Sequence, residues 1–111
     1  MRTPSERLHD ILEAISAIER YVGRGQAAFE QDELLQSWFL RNLQIIGEAA
    51  RAMPEHVRSM TTDIPWAKII GMRNIVVHSY FEIDTEIVWR AATQDLPVLK
   101  SGVQKLLEKL E

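Results

Sequence analysis

The chain has 111 residues, 46% of them apolar and none of them cysteine, and a formal net charge of −3. That size and composition fit one folded domain over residues 1–111. They exclude disulfides, thiolate chemistry and cysteine-based zinc sites. The acidic balance speaks against a protein that coats DNA through a broad basic patch, but leaves room for a small site that handles one phosphate. No apolar run approaches the roughly 20 residues needed to span a bilayer. The first residues, Met-Arg-Thr-Pro-Ser-Glu-Arg, carry no signal-peptide core. The expectation is a cytoplasmic protein with no membrane association.

A first helix is announced by Thr3, Pro4 and Glu6, which suit a cap, a first helical position and a capping-box partner. Leu8, Ile11, Leu12, Ile15, Ile18 and Val22 follow at helical spacing, and Gly23 and Gly25 end the pattern. A second helix is expected from about Asp32 to Met53, with one stripe through Leu35, Phe39, Leu43 and Ile46. A neighbouring stripe runs through Leu34, Trp38, Ile45 and Ala49, so this helix should touch more than one neighbour. Residues 55–62 read as a connector with room for a helical turn. Asp63-Ile64-Pro65-Trp66 opens a third helix, and Trp66, Ile69, Ile70, Val77 and Tyr80 line one face of it. Asp84 caps a fourth, whose apolar rhythm from Val88 to Leu110 passes through Pro97 unbroken. It should be one long helix kinked at Pro97, or two nearly collinear ones. With no strand pattern, the expected fold class is all-α, an antiparallel four-helix bundle with short connections.

Residues 73–80, Arg-Asn-Ile-Val-Val-His-Ser-Tyr, set four polar groups into an apolar helical stretch. Such groups are costly in a core unless paired. At roughly 100° per residue, Arg73 and Tyr80 share one side and Asn74 and His78 another, with the two pairs splayed by roughly 100–140°. A partner subunit or a loosened helix end would be needed to bring Arg73 and His78 together. Each residue also has a structural reading. Arg73 could pair with a buried carboxylate, for which Glu48 is the obvious donor, His78 could be a satisfied core histidine, and Tyr80 a large hydrophobe with its hydroxyl at the surface. Taken singly each is better read that way, but four within eight residues point towards chemistry. His9 and His56 have no metal-ligand spacing to His78, and the chain has no Gly-rich phosphate loop, nucleophile elbow or paired-carboxylate motif. No metal or cofactor is expected. Gly71 reads as a site of close helix approach, and Trp38, Trp66 and Trp89 as core residues rather than base-stacking platforms.

Arg73, four residues, His78, one residue and Tyr80 together resemble the signature of the HepT-like toxins of the HEPN superfamily. Leu43-Gln44-Ile45-Ile46-Gly47-Glu48-Ala49, the stretch from Ile64-Pro65-Trp66 to Asn74, and Phe81, Asp84, Ile87-Val88-Trp89 and Asp95-Leu96-Pro97 resemble the same family, so the likeness covers about residues 5 to 110. Ser79 departs from it, since many members have glycine there. The resemblance implies a HEPN-like bundle and a homodimer whose arginine–histidine motifs face a shared cleft. It implies a metal-independent endoribonuclease with Arg73 and His78 as catalytic residues and Asn74 and Glu48 in support. It also implies a toxin of a type II toxin–antitoxin pair, whose antitoxin is an MNT-type nucleotidyltransferase that transfers AMP to Tyr80. In that reading His78 is general base or acid in RNA cleavage by the 2′-hydroxyl, and Arg73 binds the scissile phosphate. The alternative is a non-catalytic helical dimer that binds nucleotide or a nucleotidyltransferase partner. A third reading is a purely structural dimer with a buried Arg–Glu pair.

Overall fold

The computed structural model describes residues 2–78 and 84–111, except for the side chains at positions 73 and 75–78. All described elements are helical. Helix α1, Pro4–Val22, starts as its sequence requires: Thr3 Oγ1 accepts from the Glu6 amide at 3.1 Å and Pro4 occupies the first turn. The Glu6 carboxylate accepts from the Thr3 hydroxyl instead of reaching the cap amide. Leu8, Ile11, Ile15 and Ile18 are fully buried along one face, with Ala14 and Ala17 beside them.

The chain then makes an element the periodicity did not announce, α2, Gln26–Gln31. Gly25 turns the backbone into it with φ +89°, a conformation open to glycine. Phe29, fully buried, anchors it against Phe39 and Trp89, with ring centroids 4.7 and 5.5 Å away. The buried Gln36 side chain donates to the Phe29 and Glu30 carbonyls, satisfying acceptors left free at the end of α2.

Asp32 caps α3, Glu33–Arg51, by accepting from the Leu34 and Leu35 amides. Leu35, Phe39, Leu43, Ile46 and Ala50 form its buried stripe. Ser37, Arg41, Gln44, Glu48 and Arg51 form an exposed polar one. The apolar arc is therefore bounded, and the second expected stripe is uneven: Leu34 is 84% exposed, Trp38 and Ile45 are half-buried, and Ala49 is buried. Helix α1 packs on one side of α3 and runs antiparallel to it. Tyr21 lies beside Leu34 and Leu35, the Trp38 indole donates to the Ala17 carbonyl at 2.8 Å, and Asp10 and Glu13 lie beside Asn42 and Ile45.

A short helix α4, Glu55–Arg58, follows Pro54 and buries Val57. Helix α5, Trp66–His78, packs chiefly on α3. Asp84 caps α6, Thr85–Arg90, by accepting from the Ile87 amide. A π-helical turn, Ala91–Asp95, then leads without interruption into α7, Leu96–Leu110. The expected long C-terminal helix is present, and it is widened for one turn just before Pro97. The Leu96 amide reaches back five residues to the Ala91 carbonyl just before Pro97, which has no amide to donate and whose ring would crowd an ordinary α turn. Helix α7 packs antiparallel against α1, as His9–Glu111 at one end and Glu19–Lys100 towards the other require. The bundle thus comprises α1, α3, α5 and the α6–α7 unit, with α2 and α4 as short insertions.

Candidate active site

Helix α5 carries the candidate residues, and its composition is unusual for an outer helix. Apolar side chains occur around its whole circumference, which suits a helix with partners on several sides. Within the chain one sector is covered: Ile69 and Met72 are buried against the rest of the fold. Ala67, Lys68 and Asn74 are exposed, and Ile70 and Gly71 are half-buried. Lys68 is held to the π-helical turn by a salt bridge to Asp95 at 2.9 Å.

Helix register places the remaining positions. Counting about 100° per residue, position 78 follows 67, 71 and 74 on the stripe opposite Ile69 and Met72. Position 73 follows 66 and 70 on the adjoining stripe, and about 140° separates 73 from 78. The backbone of both belongs to α5, while their side chains lie outside the description. Asn74 is exposed on the His78 stripe. Tyr80 lies outside the described residues.

Two sequence expectations are corrected here. Glu48 is not a buried carboxylate. It sits on the exposed stripe of α3 and accepts from Gln44 Nε2 at 3.3 Å, one turn before it. The apolar composition of α3 suggested burial, but the register assigns Glu48 to the polar edge. Gly71 is not a site of close approach among the described residues either, since a Cβ there would meet none of them within 4 Å. The close approach is at Gly102 of α7, where a Cβ would lie 2.6 Å from Cγ1 of the buried Ile64.

The three tryptophans, expected in the core, are partly buried and pack against it. The Trp38 and Trp66 indoles donate to the Ala17 and Arg58 carbonyls, and Trp89 stacks 6.3 Å from Phe39. Among the described residues no three His, Asp or Glu side chains gather as metal ligands, and no helix is long and apolar enough to cross a membrane.

One feature escaped the sequence reading. An open groove of about 800 Å³ lies between α4 and the first turns of α5, lined by Glu55, Arg58, Ser59, Trp66, Ala67 and Ile70. Its α5 wall, positions 66, 67 and 70, occupies the sector that continues into 73, 74, 77 and 78. Residues 55–62 gave only a connector signal, because four helical residues are too few to show a period.

Comparison with known proteins identifies a family. A family model described as "Ribonuclease HepT-like" matches residues 11–106. The "Putative RNase TTE0752" of Caldanaerobacter subterraneus subsp. tengcongensis is 36% identical over 110 residues, covering 98% of each chain. The "Probable ribonuclease HepT" of Thermococcus cleftensis is 34% identical over 108 residues, 95% of this chain and 96% of the relative. The "Gamma-glutamylcyclotransferase and putative RNase MJ0434" of Methanocaldococcus jannaschii is 34% identical over 105 residues, 94% of this chain but 47% of that longer protein. No solved structure matches.

Proposed function

We propose, from the premise that this chain belongs to the HepT-like ribonuclease family, that it is the toxin of a type II toxin–antitoxin pair and cleaves RNA without a metal. The observation that carries the reading is the family match over residues 11–106, which takes in the whole Arg73–Tyr80 segment.

In the proposed reaction the ribose 2′-oxygen attacks the adjacent phosphorus and the bond to the 5′-oxygen breaks. One product ends in a 2′,3′-cyclic phosphate and the other begins with a 5′-hydroxyl. His78 takes the 2′-hydroxyl proton or supplies one to the leaving oxygen, tasks for which imidazole suits neutral pH. Arg73 presents a planar, permanently charged fork to the phosphate and offsets the charge that builds up on it. Asn74, exposed on the His78 stripe, orients the imidazole or the phosphate. Glu48, on the polar stripe of α3, is a supporting residue.

The working form is a homodimer. About 140° of helix separates positions 73 and 78, and a second copy across a shared cleft supplies the missing half of each site. The measurement to make is cleavage of a defined RNA by purified protein. We expect His78→Ala and Arg73→Ala each to lower the rate by about 10²–10⁴-fold. Equal rates in wild type and His78→Ala would remove the assignment.

Control falls to Tyr80 and a nucleotidyltransferase antitoxin of the MNT type. The tyrosine oxygen attacks the α-phosphorus of ATP, pyrophosphate leaves, and the AMP remaining on Tyr80 brings bulk and negative charge beside the phosphate position of Arg73. Intact-mass measurement after incubation with antitoxin and ATP should give an adduct in wild type and none in Tyr80→Phe. An adduct of equal yield in Tyr80→Phe would move the modification elsewhere.

A further inference from the structure

We infer that the groove between α4 and α5 is a second phosphate subsite, which holds the backbone of the RNA strand as it approaches the Arg73–His78 region through Arg58. The inference rests on the RNA-cleaving reading above.

Arg58 is the cation among the six lining residues. Its Nε is enclosed from solvent and has no hydrogen-bond partner among the described residues. A guanidinium stays charged, and Arg58 forms no salt bridge among the described residues, so the cation is complementary to an anion entering the groove. A phosphate is the anion whose oxygens match the planar fork, and a turn of the guanidinium towards the groove lets it accept from two of the nitrogens together.

The arginine is also held in place. Its amide donates to the Pro54 carbonyl at 3.0 Å, and its carbonyl accepts from the Trp66 indole at 3.2 Å, which ties α4 to α5. Ser59 gives its hydroxyl proton to the His56 carbonyl. The Glu55 carboxylate on the same rim opposes an anion, so its removal favours one.

Position argues for RNA as the source of the phosphate. The groove wall at Ile70 lies about 6 Å along the helix axis from Asn74 and about 12 Å from His78. A strand lying along this sector would cover that distance within a few nucleotides. With 13 basic residues against 16 acidic ones, the chain has no surplus of cations to spread over the strand. Affinity therefore depends on a few local contacts, each of which should be measurable.

The test uses a fluorescent RNA carrying 2′-O-methyl groups, which binds but is not cleaved. Its dissociation constant is measured across a salt series for the wild-type homodimer, Arg58→Ala and Glu55→Gln. Arg58→Ala should weaken binding about tenfold and flatten the log–log salt slope by about 0.7. Glu55→Gln should tighten binding, and because that residue is exposed the variant reports on the groove even if Arg58→Ala folds poorly. With cleavable RNA, KM should rise more than kcat falls in Arg58→Ala.

Unchanged affinity and slope in both variants overturn the subsite, while wild-type cleavage leaves the catalytic reading standing. Conversely, Arg58-dependent binding by a protein that cleaves nothing keeps the subsite and removes the catalytic reading. Labelled ATP in the same series separates the two sources of phosphate. Arg58-dependent ATP binding without Arg58-dependent RNA binding overturns the RNA assignment. A change of sedimenting mass in folded Arg58→Ala would likewise overturn it, by making the groove a contact between copies.

Discussion

At residue scale, two of the three glycines set within long helices, Gly71 and Gly102, do opposite jobs. Each costs its helix about 0.5–1 kcal/mol relative to alanine. At Gly102 that cost comes with a contact, because an added Cβ would sit 2.6 Å from Cγ1 of the buried Ile64. At Gly71 it comes with none among the described residues. Gly71→Ala should therefore stabilise the isolated fold by about 0.5–1 kcal/mol. Gly102→Ala should lose about 1–3 kcal/mol to overpacking and regain at most about 1 from helix propensity, for a net loss of up to about 2. Urea unfolding of the two variants checks the pair. The packing account fails if Gly102→Ala is the more stable one. A Gly71→Ala protein that is more stable but impaired in self-association or cleavage would mean that the outward face of α5 is kept small for something outside the chain.

At the scale of elements, what could be read from the sequence depended on length and caps. Helices α1 and α3 were legible because each has a side-chain cap and enough turns for its apolar period to stand out. Asp84 was legible as the cap of α6 for the same reason. Helix α2 was not, because six residues with one buried side chain, Phe29, carry no period, and a turn through Gly25 could have led anywhere. The widening before Pro97 was hidden because a π turn inserts its extra residue without interrupting the run of buried positions from Val88 to Leu106. Glu48 was misread for a further reason. A helix with two apolar stripes still has an edge, and which residues fall on it depends on where its neighbours pack. The candidate site was legible as a constellation, Arg73 with Asn74, His78 and Tyr80 in one segment. The Arg58 groove was not, because its two walls are several residues apart in sequence and only folding places Glu55, Arg58 and Ser59 beside Trp66 and Ile70.

At the scale of the whole molecule, helix register limits what one chain can bring together. Helix α5 commits one sector to the core through Ile69 and Met72 and leaves the opposite sector, with Ala67, Gly71 and Asn74, facing outward. Positions 73 and 78 lie about 140° apart around that helix, so a single copy does not bring them to one phosphate by register alone. In a two-fold homodimer the same patch meets itself, and each of two equivalent clefts can take Arg73 from one protomer and His78 from its partner. This arrangement predicts complementation. Arg73→Ala and His78→Ala homodimers should each be nearly inactive. When they are unfolded, mixed in equal amounts and refolded together, half of the dimers are mixed, and each of those has one cleft with both groups intact. Activity should return to about a quarter of wild type. If both groups of a site come from the same chain, neither cleft of a mixed dimer is complete, and the refolded mixture stays as inactive as its parents. That result would remove the shared cleft and require the end of α5 to bring the two groups together within one chain.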